Sequence, residues 1–514
     1  MNEALVAIDR LTAATDALAA SLVAEARLCT TPGIERAILR LFDVGGLSDG
    51  GRPLAHAVVE RHAGGDPDAL ARGIGLPFAM AVAEYDVSPR RLALDVASGV
   101  VVLRDEALLL EEPDRRAAAE AEVARLVRGA LESGDANRLA RRELTTVVGD
   151  APWPWVGVPL HESAVDDALE EAAAAVRAGA DVLKVTVPSG RELADHVAAS
   201  GAEPQRWTAP AGRAGDTDVA PAGSQRGLGA LRRRADELSA ERRGTVRLMT
   251  TASPMAFPES AVVAALERID IVASDPVIDA VDGGIDPERA VTDAVFGYRL
   301  LERAGCTLVL GPGPLVVGPD LAAGAPADAP TRAGRALGLA VLSVALARSV
   351  GMPDDRICLG GLPAWVSDEA TGALALVGVA LRRACLPDVP MSFEEPPSLH
   401  PRWLALMAAG LVDAAPTALV VRDVGIAAVT PALAATRSAI GVAEAAAAAF
   451  EPRSLRPDGM ELALAMLHAA ADIVERITDD GWPAVVPGIA SGRAPIGAGT
   501  TVRREPGSDP FDLA

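Results

Sequence analysis

Aromatic residues are scarce, only 3% of 514 positions, and a single lysine, Lys184, occurs in the whole chain. The first scarcity excludes a core built on large rings and leaves Ala, Leu, Val and Ile to fill it. The second confines any chemistry that needs a lysine amine to one position. Basic residues are also short, 48 Lys plus Arg against 70 Asp plus Glu, and the formal charge of -22 argues against nucleic acid as a primary partner. Cys29, Cys306, Cys358 and Cys385 are scattered, without the paired spacing of a structural zinc site, so a reduced, cytoplasmic protein is expected. There is no dinucleotide fingerprint and no Walker loop. Residues 1–27 mix Glu3, Asp9, Arg10 and Asp16 with apolar residues, which reads as an amphipathic helix rather than a signal peptide or a membrane span.

What is present is apolar material. Half the residues are hydrophobic and 23% are charged, enough for a large core. Residues 1–150 read as a helical accessory region: Thr30-Thr31-Pro32 caps a helix through Ile34, Ala37, Ile38 and Leu41, Ser88-Pro89 opens another, and Pro113 opens a long one. Over 151–430 the pattern changes to eight short apolar runs, each followed by a helix-sized segment. The runs are Trp155 to Leu160, Asp181 to Val187, Thr245 to Thr250, Ile269 to Ser274, Thr307 to Gly311, Arg356 to Gly360, Val389 to Phe393 and Ala418 to Val424. Eight strand-helix units of this length predict an α/β fold, a TIM (β/α)8 barrel, with a doubly wound sheet as the alternative. Residues 431–514 read as C-terminal helices (about 431–449 and 458–476) and an extended Gly/Pro/Arg-rich tail from Gly488. A Gly/Pro/Ala-rich insert, Gly201 to Gln225, follows the second run and would lie on the catalytic face.

In such a barrel the functional side chains come from the carboxyl ends of the strands. Those positions hold His161 and Glu162; Ser189, Gly190 and Arg191; Thr250, Thr251 and Ser253; Ser274 and Asp275; Gly311 and Gly313; Gly360 and Gly361; Glu394 and Glu395; Arg422 and Asp423. The glycines can present amides to a phosphate, with Ser189 or Ser253 adding hydroxyls, or can simply make tight turns. Glu394, Glu395 and His400, joined by His161, can form an acid/base or metal cluster, or a solvated loop. Lys184, in mid-strand, either faces the interior, where it could form a Schiff base, or runs its stem through the helix layer; both faces of a barrel strand are buried, so periodicity does not choose.

Ordered phrases add to this: Thr30 to Ala37, Gly179-Ala180-Asp181-Val182 with Ser189 to Leu193, Ala265 to Ile271, and a closing Asp509-Pro510-Phe511. Together they resemble the alpha subunits of lysine 5,6-aminomutase over nearly the whole chain. The resemblance implies a barrel subunit of an enzyme that uses adenosylcobalamin and pyridoxal phosphate for a radical 1,2-amino shift on a diamino acid. It further implies a separate beta-type subunit carrying the cobalamin motif DxHxxG, which this sequence lacks, and the pyridoxal lysine. Of the family's phosphate contacts, Ser253 is matched, with Ser189, Gly190 and Arg191 nearby. Val187 and Glu192 stand where an arginine and a serine are expected, Ile278 where a tyrosine stacks on the pyridine ring, and Ala370 where a lysine meets substrate. These departures leave two further readings open: a free-standing Schiff-base lyase or aldolase using Lys184, and a non-catalytic barrel that retains only partner binding.

Overall fold

The computed structural model describes residues 2–46, 48–49, 52–103, 110, 112–151, 154–161, 164–186, 225–252, 254–311, 328–360, 369–395, 418–422, 437–438, 457–486 and 498–505. Strand β1 (Cys29–Thr30) lies in the N-terminal region. The barrel strands are β2 (Val156–Leu160), β3 (Val182–Thr186), β4 (Arg247–Thr251), β5 (Ile271–Ala273), β6 (Thr307–Leu310), β7 (Ile357–Leu359), β8 (Met391–Glu395) and β9 (Ala418–Arg422). They pair in parallel in chain order, and β9 returns to β2 through Val156↔Val420 and Gly157↔Val421, closing the barrel. All eight expected runs are strands.

Two-sided burial explains why each strand reads as a continuous apolar run. Leu183 and Val185 on β3 join the large cluster shared with the outer helices, whereas Val182, Met249, Ile271, Ala273, Val309 and Cys358 form a separate inner cluster with Trp155. At the amino end of the barrel the Arg247 guanidinium lies 3.5 Å over the Trp155 ring and pairs with Asp150. Two acids tie neighbouring strands there: Asp181 accepts from the Val156 amide at 2.9 Å and Asp270 from the Leu248 amide at 2.8 Å. The long helix Pro113–Val148 is fastened to the same end by Arg141, which pairs with Asp270 at 2.9 Å and donates to the Ala304 carbonyl at 2.6 Å.

The N-terminal region is helical as expected, with one addition. β1 pairs antiparallel with β10 (Val502–Arg503), so the extended tail folds back on the first helices. Two-residue strands are too short to leave a periodic signal. The first helix, Asn2–Ala26, packs against the barrel helix Ala329–Ser349 and the C-terminal helix Pro457–Asp480. The insert 201–224 and most of the expected helix 431–449 lie outside the described residues. Among the described residues no helix is long and apolar enough to cross a membrane.

Candidate functional site

At the carboxyl ends of the strands the ladder continues one residue past several of them, which fixes the rim. Ala252 donates to the Ala273 carbonyl at 2.9 Å, Ser274 to Val309 at 3.0 Å and Gly360 to Leu310 at 2.5 Å. Gly311, at φ 65°, and Gly360 approach so closely that a Cβ on Gly360 would sit 2.5 Å from the Gly311 oxygen. Glycine is required there by space, not only by the turn.

Asp275, one residue beyond the rim position Ser274, is 1% exposed and caps the helix Pro276–Gly283. Its Oδ1 accepts from the Val277 and Ile278 amides, both at 3.1 Å, and from the Ser343 hydroxyl at 2.8 Å. Its Oδ2 has no hydrogen-bond partner among the described residues, and the same holds for the buried hydroxyl of Tyr298. Burial, opposed by the Ser343 hydroxyl and the nearby amides, pushes the Asp275 carboxyl up to about 6. Burial, helped by Asp275 and Asp279, raises Tyr298 well above the usual phenol range.

An acid raised in this way is still protonated in the fold where the unfolded chain has already ionised. Its contribution is therefore complete below the unfolded value of about 4 and is lost as pH rises through about 6. Asn mimics the protonated form at every pH, so Asp275→Asn should gain stability relative to the parent chain between pH 4 and pH 7. Urea midpoints of both proteins at the two pH values measure this, and an unchanged difference would show that the carboxylate is not penalised by burial. His56 works in the other direction: burial first, then Arg36, lowers it to about 4, so its contribution is lost as pH falls from about 6.5 through 4. It is common to both proteins and cancels in the comparison.

The 3-10 turn Pro254–Ala256 after β4 is held by the N-terminal region. Thr31 caps the helix Pro32–Leu41, accepting from the Ile34 amide at 3.2 Å, and its hydroxyl reaches Asp293. From that helix Arg36 donates to Glu259 at 2.9 Å and to the Met255 carbonyl at 3.0 Å, Arg40 donates to Glu259 at 2.8 Å, and His56 Nε2 lies 3.1 Å from the same carboxylate. Burial opposes ionisation of Glu259, yet the surrounding positive groups hold it well below the usual carboxylate range. Met255 lies two residues past Ser253 in sequence, so Arg36, within the phrase Thr30 to Ala37, holds the backbone just beyond the position expected to carry a phosphate contact.

Several expected site residues lie outside the described residues: Ser189, Gly190, Arg191 and Ser253, with Val187, Glu192 and His400. Ile278 is half-buried in the first turn after Asp275 and packs against the main core. Ala370 lies in the helix Glu369–Cys385. His161 is exposed just past β2, and its amide donates to Glu171 at 2.9 Å. Among the described residues no group of three His, Cys, Asp or Glu could hold a metal ion. Sequence reasoning placed Asp275 at a strand end without seeing its burial, and missed Glu259. The available signal was a carboxylate as the one charged residue in the segment Phe257–Leu266.

Closed in chain order, with a glycine-lined rim at the carboxyl ends of its strands, the chain is a TIM-barrel protein. The family model described as the D-lysine 5,6-aminomutase TIM-barrel domain of the alpha subunit matches residues 1–402, and the chain belongs to that family. The lysine 5,6-aminomutase alpha subunit of Fusobacterium nucleatum is 24% identical over 380 residues, covering 71% of this chain and 66% of that protein. Its counterpart in Acetoanaerobium sticklandii is 23% identical over 373 residues with the same coverages, so the chain spans just under two thirds of the length of these relatives. Among solved structures, dihydropteroate synthase from Anaplasma phagocytophilum gives a TM-score of 0.35 at 15% identity, covering 57% of this chain and 98% of that one.

Proposed function

We propose that the chain is the barrel subunit of a cytoplasmic aminomutase that uses adenosylcobalamin and pyridoxal phosphate to move an amino group between adjacent carbons of a diamino acid such as lysine, in complex with a cobalamin-binding beta-type subunit. In this reading 151–430 is the barrel, 1–150 the accessory region and 431–514 the C-terminal helices and tail. The observation that carries it is the family match over residues 1–402. The donor set suits the phosphate of pyridoxal phosphate: the β4 rim supplies Thr251, the loop braced by Arg36 leads from Ser253, and Ser189, Gly190 and Arg191 follow β3 in sequence. When bound, pyridoxal phosphate supplies electron delocalisation and adenosylcobalamin the radical. This chain's own residues would bind the phosphate, orient the substrate and exclude water. Ile278 offers apolar contact but no ring for stacking.

Co-expression with a candidate partner carrying DxHxxG, followed by size-exclusion chromatography, should yield a complex; a chain that stays monomeric beside its cognate partner would sink the reading. In that complex Ser253→Ala should weaken pyridoxal phosphate binding about tenfold to a hundredfold, the worth of a hydrogen bond to a charged group, with an unchanged thermal melt.

A further inference from the structure

We infer that a single halide-class anion binds in the buried junction of the accessory region, the helix Pro287–Ala304 and the C-terminal tail, held by the Arg289 and Arg36 guanidiniums and the Thr501 hydroxyl. Both guanidiniums are withdrawn from water, with side chains 0% and 1% exposed. Arg289 Nη1 donates to the Thr500 hydroxyl at 2.9 Å, and its Nε lies 3.5 Å from Asp293 without a hydrogen bond. Among the described residues Arg289 Nη2, Arg36 Nη1 and the Thr501 hydroxyl have no hydrogen-bond partner. Buried donors are satisfied almost everywhere in folded proteins, and three at one junction point to a ligand rich in acceptor lone pairs.

Helix register brings these groups together. Gly33 and Arg36 lie three residues apart on the helix Pro32–Leu41 and so share a face. A Cβ on Gly33 would sit 3.1 Å from Asp293 Oδ2, so that face rests on the turn carrying Arg289 and Asp293. Thr501 follows Thr500, which Arg289 already holds. The balance of charge selects an anion. Glu259 is divided between Arg36 and Arg40, which leaves Asp293 to answer Arg289. Burial raises the Asp293 carboxyl against the pull of Arg289, Thr31 and Arg36, so it is a reluctant counter-charge. Burial also lowers the Arg289 guanidinium; Asp293 opposes that shift and Arg36 adds to it. A monovalent anion completes the pairing of both guanidiniums, and a monatomic one suits helices packed to contact at Gly33. The inference is independent of the aminomutase reading, because the ion would join the accessory region to the barrel whatever reaction the barrel supports.

Halide exchange on the full chain tests this. At constant ionic strength, replacing sodium gluconate by sodium chloride should raise the melting temperature saturably, by about 2 to 5 °C once the halide stands a hundredfold above its dissociation constant. Sodium bromide should substitute for the chloride. Crystals grown in bromide should show an anomalous peak within hydrogen-bond reach of Arg289 and Arg36. Arg289→Met should abolish the halide-dependent part of the melt, whereas Arg303→Met, an exposed change on the same helix, should keep it. Equal melts in chloride and gluconate mean that water alone meets these donors, and overturn the inference. A halide effect that survives Arg289→Met does the same, as does a bromide peak without a saturable effect on the melt, which marks an adventitious ion only. If Arg289→Met fails to fold, the bromide peak decides: at the junction, together with the saturable wild-type melt, it upholds the site, and its absence there sinks it.

Discussion

Glu259→Gln should destabilise the protein by about 3 to 5 kcal/mol, the usual cost of removing one partner from a buried ion pair. The carboxylate is the shared acceptor of Arg36, whose side chain is 1% exposed, and of Arg40, with His56 against it. Gln keeps the shape and one acceptor oxygen but removes the charge, so the desolvated Arg36 guanidinium is left without a counter-charge, held only by neutral acceptors such as the Met255 carbonyl. A lowered denaturant midpoint at unchanged slope reports this as stability rather than altered compactness. Replacing Arg36 by Met and Glu259 by Leu together should recover much of the loss, since an apolar pair of similar volume leaves no fully buried charge orphaned and Arg40, 23% exposed, keeps access to water. A cost under about 1 kcal/mol for Glu259→Gln would mean that water reaches the cluster and screens it. The change should also loosen the loop beyond β4, because Arg36 holds that loop and the carboxylate holds Arg36.

Gly338→Leu should be nearly as damaging, by about 3 kcal/mol, at the upper end of what overpacking costs. The helix Ala329–Ser349 crosses Pro457–Asp480 at Gly334 and Gly338, where backbone meets backbone. A Cβ on Gly338 would lie 2.5 Å from the Ala470 carbonyl oxygen and 2.8 Å from Ile473. A carbonyl in a helix cannot swing aside as a side chain can, so the helices must separate. Thermal melts with limited proteolysis should show earlier cleavage within 457–480. Gly378→Ala serves as the control: its nearest neighbour is the flexible end of Met466 at 3.6 Å, and it should be neutral or stabilising by up to about 1 kcal/mol. Equal behaviour of the two variants would show that the crossing tolerates a side chain.

The barrel was legible because its strands are buried on both faces and its helices on one. Trp155 to Leu160 and Arg356 to Gly360 read as apolar runs, the segment between the fourth and fifth runs as helix-sized, and the alternation gave the count and the order; the structure makes these the strands Val156–Leu160 and Ile357–Leu359 and, in that segment, the helix Pro287–Ala304. The direction of Lys184 was not legible, since Leu183 and Val185 on one side and Val182 on the other are equally apolar; only the separation into inner and outer clusters distinguishes them. The polar clusters were hidden for another reason. Arg36 and Glu259 are 223 positions apart, and Ser343 meets Asp275 from 68 positions away, distances over which a pattern carries no phase. Capping is local, and there the reading held: Thr31 and Ser88 each accept from an amide three residues on.

The docking of the first helix has a consequence for synthesis. Leu11, Ala19 and Val23 are buried because Asn2–Ala26 lies on Ala329–Ser349 and Pro457–Asp480, both hundreds of residues downstream. A ribosome adds roughly 5 to 20 residues each second, so this apolar stripe waits on the order of tens of seconds without its native cover. During that interval the growing polypeptide presents a site that a chaperone can hold and that another nascent copy can capture. A segment made long before its partners is therefore among the last to reach its final place.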